Sequence, residues 1–175
     1  MTGVTGTPDG TVGERTADRL ALQDLVTAYA YAVDDGDWVR WEGLFEPDGR
    51  IDYTAAGGIA GTPVELAAWM PASLSVFAFS LHTTSTHEVR FTGPDTATGR
   101  VHVLNRNGVV WEGRSELVDV GAVYEDVYRL RDGRWRFASR VERTAYVSGG
   151  VVADGGFAGV VRDLAREVSG TAPFG

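Results

Sequence analysis

Gly121-Ala122-Val123-Tyr124-Glu125-Asp126-Val127-Tyr128-Arg129-Leu130-Arg131-Asp132-Gly133-Arg134-Trp135-Arg136-Phe137 is a run of β-branched and aromatic residues folded about an Asp-Gly pair. Asp and Gly tolerate positive φ at the two central positions of a tight turn, so Arg131-Asp132-Gly133-Arg134 predicts a β-hairpin. Upstream of it, Thr, Val, His and aromatic residues become frequent after Phe79 and give strand-like runs at 81–91, 97–107, 112–130 and 134–147. Four such runs with no helix between them form an antiparallel meander.

The other half of the chain reads as helical. Leu22, Leu25, Val26, Tyr29 and Val33 recur at three- and four-residue steps, with Thr16 placed as an N-cap and an end near Asp35-Gly36. Asp37 caps a second, short helix whose Trp38, Trp41, Leu44 and Phe45 share one apolar face until Pro47-Asp48-Gly49 breaks it. A strand at 50–54 and a Gly-rich loop at 55–61 follow. Thr62-Pro63-Val64-Glu65 then has capping-box spacing with Pro at the first helical position, and opens a third helix through Leu66 and Trp69 with a break at Pro71. Helices first and a meander afterwards make the chain α+β, since a parallel sheet needs strands that alternate with helices.

At 175 residues the chain can bury a core without disulfides or a structural metal. We read it as a flexible arm at 1–14, one folded domain at 15–147, and a Gly-rich extension at 148–175 with a helix at 157–168 that could cap a pocket. A net charge of −8, with no Lys/Arg stripe along any segment, argues against nucleic acid and anionic membrane as partners. The absence of cysteine removes thiolate chemistry and zinc–cysteine sites and fits a reducing cytoplasm. Met1 to Glu14 has no basic segment followed by an apolar run, so it reads as neither signal peptide nor anchor.

Three histidines can be weighed singly. His82 closes the apolar run Phe77-Ala78-Phe79-Ser80-Leu81, a setting for a tuned imidazole. His87, five residues on, falls on the opposite face of a regular strand and reads as exposed; His102 points away from Val101 and Val103. Histidines on opposite faces cannot share a metal ion, so no metal is expected. Neither a phosphate-binding Gly-rich loop nor a nucleophile elbow is present, which removes nucleotide binding and serine hydrolysis. In Asp34-Asp35-Gly36-Asp37, Asp37 caps a helix and Asp35 is solvated, while Asp34 has no local partner. On the last strand Arg140 shares a face with Ala138, Glu142 and Thr144, opposite Trp135, Phe137 and Val141. That pattern makes Arg140 the partner of a surface carboxylate, Glu142 or Glu125. If its face instead lines a cavity, the aromatic face needs cover, and a subunit interface would supply it.

An ordered set of residues carries a family resemblance: Leu22-Gln23-Asp24-Leu25, Val33-Asp34, Gly36-Asp37-Trp38, Leu44-Phe45, Ile51-Asp52-Tyr53 and Leu81-His82, then Ala122-Val123-Tyr124, Tyr128, Arg131-Asp132-Gly133 and Trp135-Arg136-Phe137. From about Leu20 to Val147 the chain resembles the SnoaL-like branch of the nuclear transport factor 2-like superfamily. Within it the chain looks most like scytalone dehydratase, hexachlorocyclohexane dehydrochlorinase and bile-acid 7α-dehydratase, lyases that use no cofactor. The resemblance implies a cone-shaped barrel, a curved and mainly antiparallel sheet wrapped around the N-terminal helices. It implies catalytic roles for Asp34 and His82, and for Arg140 and Tyr53 beside them. Tyr29, Val103, Asn105, Asn107, Tyr124 and Trp69 are then expected to line the substrate site. Asn105 or Asn107 stands where scytalone dehydratase has a second histidine, Val33 replaces its helix-one tyrosine, and Tyr29 replaces a lysine of the dehydrochlorinase. Those departures argue against both of those substrates. The implied partners are a small cyclic or polyketide-like hydroxy-carbonyl molecule and further copies of the chain, a trimer first. A silent, ligand-binding pocket is the rival expectation from a different class.

Overall fold

The computed structural model describes residues 15–111 and 113–149. The arm at 1–14, the helix at 157–168 and all of the extension after Gly149 lie outside the described residues. Three helices, α1 (Thr16–Asp34), α2 (Trp38–Glu42) and α3 (Pro63–Leu74), pack on a sheet of six strands: β1 (Phe45–Asp52), β2 (Ala60–Gly61), β3 (Phe77–Phe91), β4 (Thr96–Trp111), β5 (Arg114–Arg131) and β6 (Arg134–Gly149). Their order is β2-β1-β6-β5-β4-β3, with β1 parallel to β6 and every other pair antiparallel. The α+β expectation holds, and the sheet is curved but open: among the described residues the edge strands β2 and β3 do not pair to close a barrel.

Local chemistry explains most boundaries. Asp132 and Gly133 take φ of 52° and 72°, the left-handed pair that an Asp-Gly hairpin turn requires. The Thr62 hydroxyl accepts from Glu65 N–H while the Glu65 carboxylate accepts from Thr62 N–H, so the capping box is complete. Asp37 caps α2 by accepting from Arg40 N–H at 3.0 Å. At α1, by contrast, Thr16 is already helical; Arg15 occupies the cap position and no side chain caps it. The third helix runs unbroken through Pro71, which lies in its last turn on the exposed side. Strand β1 begins at Phe45, not at Arg50, and α2 ends at Glu42. Phe45 pairs with Phe137 and Arg50 with Ser139, so Glu46 to Gly49 loop out between two ladder contacts and Pro47 meets no partner strand there.

Leu22, Leu25, Val26, Tyr29 and Val33 of α1 are buried against Trp41, Phe45, Leu66, Val101, Tyr128 and Phe137. Each such side chain contributes about 1.5–3 kcal/mol by leaving water. This core fills the concave side of the sheet.

The strand phases are the principal correction. Strands β4 and β5 pair without a break from Thr96 with Arg129 to Trp111 with Arg114. Their outer neighbours do not. Strand β3 carries one extra residue between Phe77 and Phe79 and another between Thr84 and His87. On β6 the ladder skips Ala138 and Ala145. A bulge flips the side-chain alternation beyond it. His87 therefore returns to the face of His82, contrary to the exposed placement expected, and Arg140 and Glu142 join Trp135 and Phe137 on the concave side. The aromatic face of β6 is already covered by the chain's own core, so it provides no motive for a subunit interface.

Candidate active site

Helix α1 ends against β3, and its last residue reaches the strand. Asp34 Oδ1 lies 2.5 Å from His82 Nδ1, and Asp34 Oδ2 accepts from His82 N–H at 2.9 Å. A carboxylate at a helix C-terminus faces the negative end of the helix dipole, and two donors from His82 offset that. Since an ionised carboxylate only accepts, the ring donates Nδ1–H to Asp34, and among the described residues no hydrogen bond holds Nε2. The His82 side chain is 6% exposed and lines a largely apolar cavity.

Most of the expected site residues meet in that cavity. Val103 and Asn105 reach it from β4 beside His82, Tyr124 from β5 and Tyr29 from α1; Tyr53 and Trp69 complete the wall. The Tyr29 and Tyr53 hydroxyls are 2.7 Å apart. Burial pushes the phenols of Tyr29, Tyr53 and Tyr124 up, partly against the pull of Arg140, so all three stay neutral and able to donate. Phe77 also lines the cavity, whereas Trp41 belongs to the core and Phe79 is exposed on the outside.

Arg140 and Asn107 are placed differently. Arg140 is fully buried and does not line the cavity. Its Nε and Nη2 donate to both oxygens of Asp126 at 2.8 and 2.7 Å, and its guanidinium lies 4.1–4.2 Å from the ring centres of Tyr29, Tyr124 and Phe137. It is a buried ion pair, neither the surface pair suggested by strand alternation nor a group exposed to substrate. Asn107 is fully buried and accepts from the Ser80 hydroxyl at 2.7 Å.

Two features escaped the sequence. Asp126 also accepts from the Tyr128 hydroxyl at 2.8 Å, and His87 Nε2 lies 3.0 Å from that hydroxyl. The resulting chain His87–Tyr128–Asp126–Arg140 has room because Gly99 has no side chain: a Cβ there would sit 2.7 Å from the Tyr128 ring and hydroxyl. Burial lowers the His87 pKa, with Asp126 opposing and Arg140 assisting. The second feature is Glu142, which lines the cavity and whose pKa is raised to about 7 by burial against the opposing charge of Arg140. Only the bulge at Ala138 turns both residues inward. Among the described residues no cluster of three or more His, Cys, Asp and Glu side chains is arranged to hold a metal, and no helix is long and apolar enough to cross a membrane.

An α+β fold with an open curved sheet, an Asp–His contact at the end of the first helix and a largely apolar cavity beside it are the features of a domain of the nuclear transport factor 2-like kind. The SnoaL-like domain matches residues 14–141, and the chain belongs to that family. An uncharacterized protein of Mycobacterium tuberculosis (strain ATCC 25618 / H37Rv) is 35% identical over 132 residues, covering 74% of this chain and 87% of the relative. Gamma-hexachlorocyclohexane dehydrochlorinase of Sphingobium indicum is 28% identical over 133 residues, 76% of this chain and 84% of that protein. The crystal structure of LinA superposes with a TM-score of 0.67 at 26% identity over 79% of this chain and 93% of its own.

Replacing Asp126 by Ala strands the buried Arg140 charge and is expected to cost about 3–5 kcal/mol, read as a lowered midpoint in urea denaturation. An unchanged midpoint would show that the pair is not the buried contact described. Glu142 has a folded pKa near 7 and an ordinary value of 4.5. The fold thus favours its protonated form: that stabilisation is full below about pH 4.5 and is lost as the pH rises through about 7. Glu142→Gln is expected to gain melting temperature relative to wild type between pH 5 and pH 8; a constant difference between the two proteins would contradict this.

Proposed function

We propose that the protein is a cofactor-independent lyase, a dehydratase that removes water from a cyclic or polyketide-like hydroxy-carbonyl molecule. The observation that carries this reading is the double hold of Asp34 on His82, which fixes the ring in the wall of a largely apolar cavity; the neutral imidazole then has its Nε2 lone pair for use as a base. A base so held takes the acidic C–H proton next to a carbonyl, and the electrons move toward that carbonyl as the β-hydroxyl departs. In the Tyr29–Tyr53 pair one hydroxyl donates to the other, so the proton of the second, with the Asn105 amide, would meet the negative charge that develops on the carbonyl oxygen. Arg140 acts from behind the tyrosines, through the rings it packs on.

The family and its dehydrochlorinase relative support a lyase or isomerase type of activity. Isomerisation or ring closure would use the same base and enolate-stabilising groups but would retain the mass of the substrate. A silent pocket would predict an Asp34 turned to solvent, and its carboxylate instead meets His82 twice. Against a panel of cyclic β-hydroxy ketones, wild-type protein is expected to yield products lighter by one water in mass spectrometry. His82→Ala is expected to lose about two to four orders of magnitude in kcat. Full activity in that variant would overturn the assignment, and products of unchanged mass would replace the dehydratase with an isomerase.

The reading includes a cytoplasmic homo-oligomer, a trimer first. Phe79, Leu81, Val110 and Leu117 are 48–57% exposed on the outer face of β3, β4 and β5, an apolar surface that a second copy would cover. Sedimentation of wild type is expected to give a multiple of 18.8 kDa, and a monomeric mass would remove the oligomer.

A further inference from the structure

The elimination described above removes a proton from carbon but leaves the departing oxygen without one. Hydroxide is a poor leaving group, and a largely apolar cavity makes its expulsion as an anion costlier still, so a second side chain has to donate. Among the described residues lining the cavity, Glu142 is the only carboxyl group. It stands on β6 and His82 on β3, at opposite ends of the four-stranded meander, and the curl of the sheet brings both to one cavity. No hydrogen bond or ion pair holds the Glu142 carboxyl among the described residues, and Arg140, two residues along the same strand, is committed to both oxygens of Asp126. The charged and titratable groups around it are Arg140 on its own strand, Tyr29 from α1, Tyr124 from β5, Tyr53 after β1 and His82 from β3. The three phenols are held neutral by burial and add no charge.

We propose that Glu142 is the general acid of the elimination, giving its carboxyl proton to the leaving hydroxyl while His82 takes the carbon-bound proton. This inference rests on the elimination reading. The C–H electron pair becomes the new C=C bond, the C–O pair leaves with oxygen, and the Glu142 proton completes a water molecule. His82 then releases its proton to solvent and Glu142 regains one, so the enzyme returns to its starting state. Acid and base address the substrate from different strands and do not compete for one proton. Burial keeps the carboxyl protonated to near neutral pH, where the imidazole must be free to accept.

Two substrates with a common product separate the roles: 3-hydroxy-5-phenylcyclohexanone and its 3-(4-nitrophenoxy) analogue, which lose water and 4-nitrophenol respectively to give the same enone. Nitrophenoxide leaves as a stable anion and needs no donor. Glu142→Gln is expected to lose roughly 100-fold or more in kcat/KM on the hydroxy ketone, and at least about tenfold less than that on the nitrophenoxy ketone. Glu142→Asp, which keeps a donor, is expected to recover part of the loss. In wild type, kcat/KM for the hydroxy ketone should fall above about pH 7, and that limb should vanish in Glu142→Gln. Equal losses on both substrates, or none on either, would overturn the general acid while leaving elimination by His82 intact. Wild-type protein that turns over neither ketone would overturn the elimination reading itself, and the role of Glu142 with it. Should Glu142→Gln fail to fold, the infrared spectrum of wild type decides: a protonated carboxyl band at pH 6 that bleaches by pH 8 supports the donor, and its absence sinks it.

Discussion

A guanidinium sealed from water is the constraint around which the cavity is organised. Arg140 cannot shed its charge, and moving it out of solvent costs several kcal/mol unless partners replace the lost hydration. Asp126 supplies a two-pronged carboxylate, and Tyr29, Tyr124 and Phe137 supply ring faces within 4.2 Å. Two of those rings are also cavity wall. The charge thereby fixes the angle at which Tyr29 is held, and through the hydroxyl contact the position of Tyr53. A planar, forked cation suits this place, and a lysine would satisfy neither the carboxylate nor the rings in the same way.

The aspartate–histidine contact is a different kind of device. Its two members come from a helix end and a strand middle, and the carboxylate grips both the backbone and the ring of its partner. Rotation of the imidazole would break one bond and movement of the strand the other. Under the proposed function, a side chain held in this way would meet a substrate already oriented, and orientation is a source of catalytic advantage.

Much of this was legible in the residues. The Asp-Gly turn, the capping box and the periodicity of α1 are local signals, and each is found where local chemistry places it. Asp34 stood out because no neighbour needed it, and the family resemblance paired it with His82. What could not be read was the phase of β3 and β6. Ala78, Ser85-Thr86, Ala138 and Ala145 look like ordinary strand residues, and nothing in their identity announces a skipped rung. One unseen bulge was enough to send His87 to the wrong face, and another misplaced Arg140 and Glu142 as surface partners. The start of β1 was hidden for a related reason: Pro47-Asp48-Gly49 has the composition of a terminator, yet the strand resumes beyond it against β6.

The order in which the parts can come together follows from the topology. The β5–β6 hairpin closes through a two-residue turn, and β3, β4 and β5 follow one another as neighbours, so the meander needs only short-range encounters. The contacts of the candidate site span more chain: Asp34 and His82 are 48 residues apart, Tyr29 and Tyr53 are 24 apart, and β1 must find β6 across α3 and the whole meander. Longer loops cost more entropy to close and form more slowly. A chain that has built only its meander carries His82 on a curved sheet but has neither the Asp34 that grips it nor the tyrosine pair; helix docking, rather than sheet formation, is the step that assembles the walls of the cavity.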